Sequence, residues 1–279
     1  MPSHGFGHLE SWVAVRRWHD DPVLILLPPS EGKYAPRRGA PLALDKLSNP
    51  DLTPARQAVV DALVAWCSTA PEAAMDGLAI PKTQPELLAL NATIATSPTA
   101  RAEKIYTGVV YDNLATETLS PAARRRLGRV AVASSVFGLV AVSDRIPAYR
   151  LSGDASLPGL GPVAAHWRTH LGDAIPDTVG GGLLVDLRSG TYQNFWRTEP
   201  LAQRTATVRV LHEVDGTRKV VSHFNKATKG RLVRALLEDG ANPRTPTKLA
   251  DAWRDLGWTV EVGDQGRTGT QLDVIVTEI

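Results

Sequence analysis

The sequence predicts a mixed α/β protein, a sheet with buried central strands surrounded by helices. Residues 23–27 (VLILL) and 183–185 (LLV) are short, continuous apolar runs, the pattern of strands covered on both faces. Thr53-Pro54 and Thr245-Pro246 are helix starts, each a capping hydroxyl followed by proline in the first turn. In the last third, TATVRVLHEV and TRKVVSHF alternate around Asp215-Gly216, a strong hairpin signal. The chain carries no repeat at a solenoid period, which excludes an array.

Taken in order, residues 1–21 read as an N-terminal extension of mixed polarity containing His4, His8 and His19, and residues 22–279 as a single domain. The first strand, 23–27, is stopped by Pro28 and Pro29, which deliver Ser30, Glu31 and Lys33 just past its end. Residues 34–50 read as loop. The first helix is expected from Thr53 to about Cys67, burying Val59, Val60, Leu63 and Val64. Further helices are expected at 86–94 and 99–106. Tyr106, Thr107 and Gly108 then make a polar turn before Tyr111. Residues 121–129 begin as a helix and carry four arginines, the composition of a solvated face.

Residues 130–133 read as a strand that ends at Ser134 and Ser135, with a close turn at Gly138. Asp144, Tyr149 and Arg150 follow beside Pro147, an arrangement that fits either a pocket wall or a structural loop. A helix over 160–171 places His166 and His170 on one face, as in zinc-protease helices, but the glutamate base between them is missing. An exposed or capping histidine pair is expected there. Asp186, Ser189 and Tyr192 leave the strand at 183–185, repeating the earlier design. A later helix presents Lys226, Lys229, Arg231 and Arg234. The helix from Thr245 ends at Gly257, and WTVEV and QLDVIVTEI supply two last strands.

A chain of 279 residues with 43% hydrophobic and 22% charged residues has the composition of an ordinary soluble globular protein. Its formal charge of +2 permits a local anion-binding patch without requiring one. The single cysteine, Cys67, excludes an intramolecular disulfide and a cysteine-rich metal site, and fits a reducing cytoplasm. No apolar run has the length of a membrane span, and the first twenty residues lack a signal-peptide core, so a cytoplasmic location away from membranes is expected.

Ligands in open α/β sheets bind outside the carboxyl ends of the strands. The candidate catalytic residues there are Asp144, Tyr149, Arg150, Asp186, Ser189 and Lys226. Candidate binding residues are Ser30, Glu31, Lys33, Tyr106, Thr107, Ser134, Ser135, Lys229 and Arg231. Lysine and arginine suit phosphate or carboxylate, while aspartate and tyrosine can read a base or sugar or move protons. Neither Ser134 nor Ser189 sits in a GxSxG elbow. SEGK lacks the upstream glycine and final hydroxyl of a P-loop, and no dinucleotide fingerprint is present. Metal-ligand spacing is absent too, so neither metal nor cofactor is expected. Three readings remain open. One is a nucleic-acid binder using Arg124, Arg125, Arg126, Lys226, Lys229, Arg231 and Arg234. Another is an enzyme on a nucleotide, nucleobase or other small anion, with Lys226 or Arg150 holding the anion and Asp144 or Asp186 as base. The third is a set of purely structural ion pairs.

Five motifs narrow this. LILLPPSEGK (24–33), YTG (106–108), SSVFGLVAVSDRIPAYRL (134–151), DLRSGTY (186–192) and HFNKATKGRL (223–232), in that order and spacing, resemble the YaaA family of bacterial peroxide-stress proteins. The resemblance covers nearly everything from Val23 onward. It implies a curved mixed sheet and helices around a central, positively charged cleft. It further implies a cytosolic protein that binds DNA, duplex DNA included, and limits oxidative damage, with a link to lower intracellular free iron. The family's helix-hairpin-helix-like element corresponds to residues 86–94, where Ala89 stands in place of the hairpin glycine. PPSEGK replaces a proline-alanine-lysine-threonine pattern, which makes Lys33 an approximate counterpart.

Overall fold

The apolar run Val23–Leu27 forms β1, and every one of its residues is buried. It lies at the centre of a mixed eight-stranded sheet in a computed structural model that describes residues 23–277, with the backbone alone at Ser222 and His223. The expected extension at 1–21 lies outside the described residues. After β1 come helices α1 (Thr53–Thr69), α2 (Pro71–Gly77), α3 (Glu86–Ala92), α4 (Ala102–Ile105), α5 (Val109–Leu114) and α6 (Pro121–Arg125). The chain continues through β2 (Val130–Ser134), β3 (Gly138–Ala141), α7 (Val163–His170), α8 (Ala174–Val179), β4 (Leu183–Asp186) and α9 (Gly190–Gln193). It closes with β5 (Thr205–Val214), β6 (Thr217–Lys219), α10 (Ser222–Asp239), α11 (Pro246–Asp255), β7 (Thr259–Gly266) and β8 (Gly269–Val276).

The strand order is β7-β8-β5-β4-β1-β2-β3, with β6 paired to β5. The run β8-β5-β4-β1-β2 is parallel, and β3, β6 and β7 join antiparallel. Ile25 stands opposite Val130 on one side and Val185 on the other. All residues of β1, β2 and β4 are buried, so both faces of the sheet's centre are covered, as continuous apolar runs require. Among the described residues no helix is long and apolar enough to cross a membrane.

Helix α1 begins at the expected Thr53-Pro54 and buries Val59, Val60 and Leu63. The hairpin turn is a two-residue loop with Asp215 at φ 51° and Gly216 at φ 73°, joining Val214 to Thr217. Two positive φ angles match the right-handed strand twist, and Asp-Gly supplies both at low strain. Several segments depart from expectation. The second hairpin strand, expected over TRKVVSHF, pairs only through Thr217–Lys219, because α10 begins at Ser222. The helix expected at 99–106 is mostly replaced, because Ala100–Arg101 pair with Arg145–Ile146 and Tyr106 bridges to Lys33. Only the four residues of α4 remain helical. A further departure is β3, hidden in the sequence because it follows β2 after a tight turn. Gly138 holds φ 71° there, and a Cβ at that position would lie 2.5 Å from the Trp167 ring.

The arginine-rich segment is not a solvated face throughout. Arg124 and Arg125 are exposed, but Arg126 Nη1 donates to the carbonyls of Leu237 (2.7 Å) and Glu238 (3.2 Å). Arg129 is buried and donates to the Ala241 carbonyl at 2.9 Å. Carbonyls at the end of α10 lack helical partners, and these guanidinium groups supply them.

Candidate functional site

In chain order β1 is followed by β2 on one side, while β4 takes the other side, so the sheet changes direction between β1 and β4. Their carboxyl ends open into a cleft of about 640 Å³. One wall is the diprolyl exit of β1, Pro28 to Gly32. The second runs from Thr107 to Tyr111, the third from Leu187 to Gln193, and α10 closes the cleft with Asn225, Lys226 and Lys229. The walls are tied to one another. Tyr111 Oη donates to the Pro28 carbonyl (2.7 Å), and the Thr107 N–H donates to Ser30 Oγ (3.0 Å), whose own proton goes to the Gly32 carbonyl (2.6 Å). Gly230 lets α10 approach α5, since a Cβ there would sit 2.2 Å from the Val110 carbonyl oxygen.

Beside this wall lies an aromatic and hydroxyl cluster. Lys33 Nζ is 4.1 Å from the centre of the Tyr149 ring and 5.7 Å from that of Tyr106. It donates to the carbonyl of Ser30 at 2.6 Å and reaches that of Glu31 at 3.5 Å. Burial lowers the Lys33 pKa to about 7; Glu31 opposes the shift and Arg150 adds to it. Below the lysine, Tyr149 Oη shares hydrogen bonds with Ser134 Oγ (2.8 Å) and Tyr106 Oη (3.1 Å). Burial raises all three phenols, Tyr106, Tyr111 and Tyr149, above the ordinary tyrosine range, so they stay protonated. Ser135 is occupied separately, donating to the Leu151 carbonyl at 2.7 Å. Arg150 forms an ion pair with Glu31, and Asn91 of α3 grips the Arg150 backbone through N–H (2.8 Å) and carbonyl (2.7 Å). Residue 91 thus gives the 86–94 segment a positioning role inside the molecule.

The two aspartates named as candidate bases do not face the cleft in a usable way. Asp144 is buried and accepts from the Ser48 N–H and Oγ–H and from the Ala141 N–H. Burial raises its pKa, those hydrogen bonds oppose the shift, and the group fastens the loop at 48 to the end of β3. Asp186 is also buried and accepts from the Arg188 N–H, Nε (2.8 Å) and Nη2 (2.9 Å). Arg188 Nη1 continues to the carbonyls of Tyr192 and Trp196. This pair shapes the turn that carries Ser189, which is exposed and lines the cleft.

Among the expected cations, Lys226 and Lys229 do line the cleft. Lys226 is exposed, while Lys229 reaches the Leu187 carbonyl (3.2 Å) and has its pKa lowered by burial against the opposing charge of Asp186. Arg231 turns away to Asn113 Oδ1 (2.9 Å). Arg234 bonds the carbonyls of Leu114 and Ala115, and Arg124 that of Thr116. His166 Nε2 lies 3.0 Å from the Ala55 carbonyl and His170 Nδ1 2.8 Å from that of His166. Among the described residues no three His, Cys, Asp or Glu side chains are grouped to hold a metal ion.

Sequence reasoning overlooked Asn225 and Arg209 as cleft residues, and set Tyr192 at the exit of β4 without naming it among the candidate site residues. Asn225 had a readable signal, lying one helical turn before Lys229 on the same face. Its Oδ1 is buried without a hydrogen-bond partner among the described residues.

Residues 23–262 match the family described as peroxide stress protein YaaA. The chain belongs to that family. A UPF0246 protein of Streptomyces coelicolor is 48% identical over 92% of this chain and 100% of its own length. Another, from Corynebacterium efficiens, is 43% identical over 89% of this chain and 98% of its own. An uncharacterized protein of Campylobacter jejuni is 28% identical over 49% of this chain and 53% of its own. Membership in a peroxide-stress family directs attention to Cys67. It is buried, and desolvation raises its pKa against a hydrogen bond from Asn91, which makes it a poor thiolate and a poor reductant of peroxide.

Proposed function

We propose that this family member acts in the cytoplasm to limit peroxide damage by binding a phosphate-bearing ligand, a nucleotide unit free or within DNA, in the cleft. The observation that carries the reading is the convergence of Lys226 and Lys229 of α10 on the walls built by the β1 and β4 exits. A cleft of about 640 Å³ suits a ligand of nucleotide size. Cations at its edge suit phosphate, and Tyr192 and Asn225 offer a ring and an amide to a base. Of the arginines expected to form a nucleic-acid track, Arg124, Arg126 and Arg234 are occupied by main-chain carbonyls and Arg231 by Asn113, which favours recognition within the cleft over a track along an arginine stripe.

The test is binding of fluorescent mononucleotides, a single-stranded oligonucleotide and a duplex across a salt series. Saturable binding that weakens at least about tenfold in Lys226→Ala/Lys229→Ala supports the reading. Preference for mononucleotides over DNA identifies a free nucleotide as the ligand, and the reverse identifies DNA. Absence of binding by every probe at low salt sinks it.

A further inference from the structure

Phosphate binding needs cations, yet the cleft also has an acid in its wall. Glu31 stands just past the β1 exit, and among the described residues lining the cleft it is the only acid. Its side chain is 59% exposed, so the group is open to a ligand. Oε2 is paired with Arg150 Nη1, while Oε1 accepts no hydrogen bond among the described residues. The pairing holds the carboxylate still. Asn91 grips the Arg150 backbone at its N–H (2.8 Å) and its carbonyl (2.7 Å), so the residue that steadies Glu31 is itself anchored. The α10 side of the cleft carries Asn225 and Lys229 one helical turn apart on the same face. Lys229 is tied there to the β4 exit through the Leu187 carbonyl (3.2 Å).

An ionised carboxylate only accepts hydrogen bonds, so whatever it meets on the ligand must be a donor. Phosphate is no such group, and its like charge is repelled. A nucleotide inside a DNA strand has no sugar donor either, since it lacks the 2′ hydroxyl and its 3′ oxygen is esterified. Base N–H groups are donors, but they differ from base to base, and a contact to them would show as a base preference. The ribose of a free ribonucleotide has two adjacent hydroxyls, and acidic side chains read such hydroxyls at the strand ends of nucleotide-binding α/β folds. We propose that Glu31 is the sugar-reading residue of the cleft and that the ligand is a free ribonucleotide, an inference that rests on the binding reading above. The phosphate goes to Lys226 and Lys229, and the base lies against Asn225. The sugar joins those two parts, so with both held on the α10 side its hydroxyl edge turns to the β1 wall and donates to Glu31. A longer polyanion is disfavoured, because its next phosphate would pass the carboxylate.

The experiment is displacement of a fluorescent mononucleotide from the full-length protein, in the wild type, Glu31→Gln and Glu31→Ala. The competitors are the four ribonucleoside monophosphates, their four 2′-deoxy counterparts and a single-stranded oligodeoxynucleotide. The expected result is that each ribonucleotide binds the wild type at least about tenfold tighter than its 2′-deoxy counterpart. That ratio should shrink in Glu31→Gln and vanish in Glu31→Ala. Both variants change an exposed side chain, and Glu31→Gln keeps an oxygen for Arg150, so the fold is retained. A purely structural role for Glu31 would weaken both sugars alike and leave the ratio unchanged, which overturns the proposal. Equal affinity for the two sugars in the wild type also overturns it, as does a preference for one base whatever its sugar, or tighter binding of the oligodeoxynucleotide. If binding is still lost in Lys226→Ala/Lys229→Ala, those outcomes leave the binding reading standing. No binding of the probe or of any competitor at low salt overturns both.

Discussion

Burying the Lys33 amine ties stability to pH. In the unfolded chain the group titrates near 10, and in the folded protein near 7. Between those values the unfolded state binds more protons, so this residue makes stability rise with pH from about 7 to about 10. Below 7 both states hold the proton, and the full penalty of the buried charge is present. Lys33→Met should therefore gain on the wild type most at pH 6.5 and progressively less toward pH 9.5 in urea unfolding. A stability difference that stays constant across that range would contradict the neutral amine. Arg188 is the reverse case, a buried charge whose partner cannot be left alone. Arg188→Met removes the guanidinium and two of the three donors to Asp186, leaving the residue-188 N–H alone beside a buried carboxylate, and should destabilise by roughly 3–5 kcal/mol in urea unfolding. Arg231→Ala, at an exposed pair with Asn113, should stay within about 0.5 kcal/mol.

Helix α10 brings Lys226 and Lys229 to the cleft because it lies close on α5. Gly230→Ala puts a methyl against the Val110 carbonyl oxygen and the Asn113 side chain, so one helix must move. It should cost about 1–3 kcal/mol by thermal unfolding and also weaken nucleotide binding, because the displaced helix carries both lysines. Wild-type affinity in a folded Gly230→Ala protein would mean that the cleft does not depend on this packing. Helix starts and central strands were legible in the sequence where local chemistry decides: the Thr245 cap, Asp215-Gly216 and the apolar runs at β1, β2 and β4 read correctly, and Thr53-Pro54 marked the start of α1, although Thr53 is its first residue rather than its cap and its hydroxyl turns to the Leu44 carbonyl. Segments decided by distant partners were not. Residues 99–106 have helical character but are claimed by Arg145–Ile146 and by Lys33. The strand exits brought Ser30, Glu31 and Ser189 to the cleft, and α10 brought Lys226 and Lys229. The arginines misled, since a cation's sequence position does not reveal whether a helix end will take its hydrogen bonds. Asp144 and Asp186 misled for the same reason, their donors coming from folded neighbours.

Across the whole molecule, the small net charge and the internal use of arginine limit how much phosphate the protein can neutralise. Two cleft lysines predict a slope of about −2 in log affinity against log salt for a DNA ligand. Engagement of the arginines of α6 and α10 as well would steepen it to about −6, and that measurement separates a cleft ligand from a broad duplex track. The strand order has a further consequence for how the chain is made. β1 is flanked by β2 and β4, yet those neighbours begin only at Val130 and Leu183. At synthesis rates of about 5–20 residues per second, VLILL leaves the ribosome several seconds before either partner exists. A chain stalled in that interval would present a bare apolar strand to chaperones and proteases.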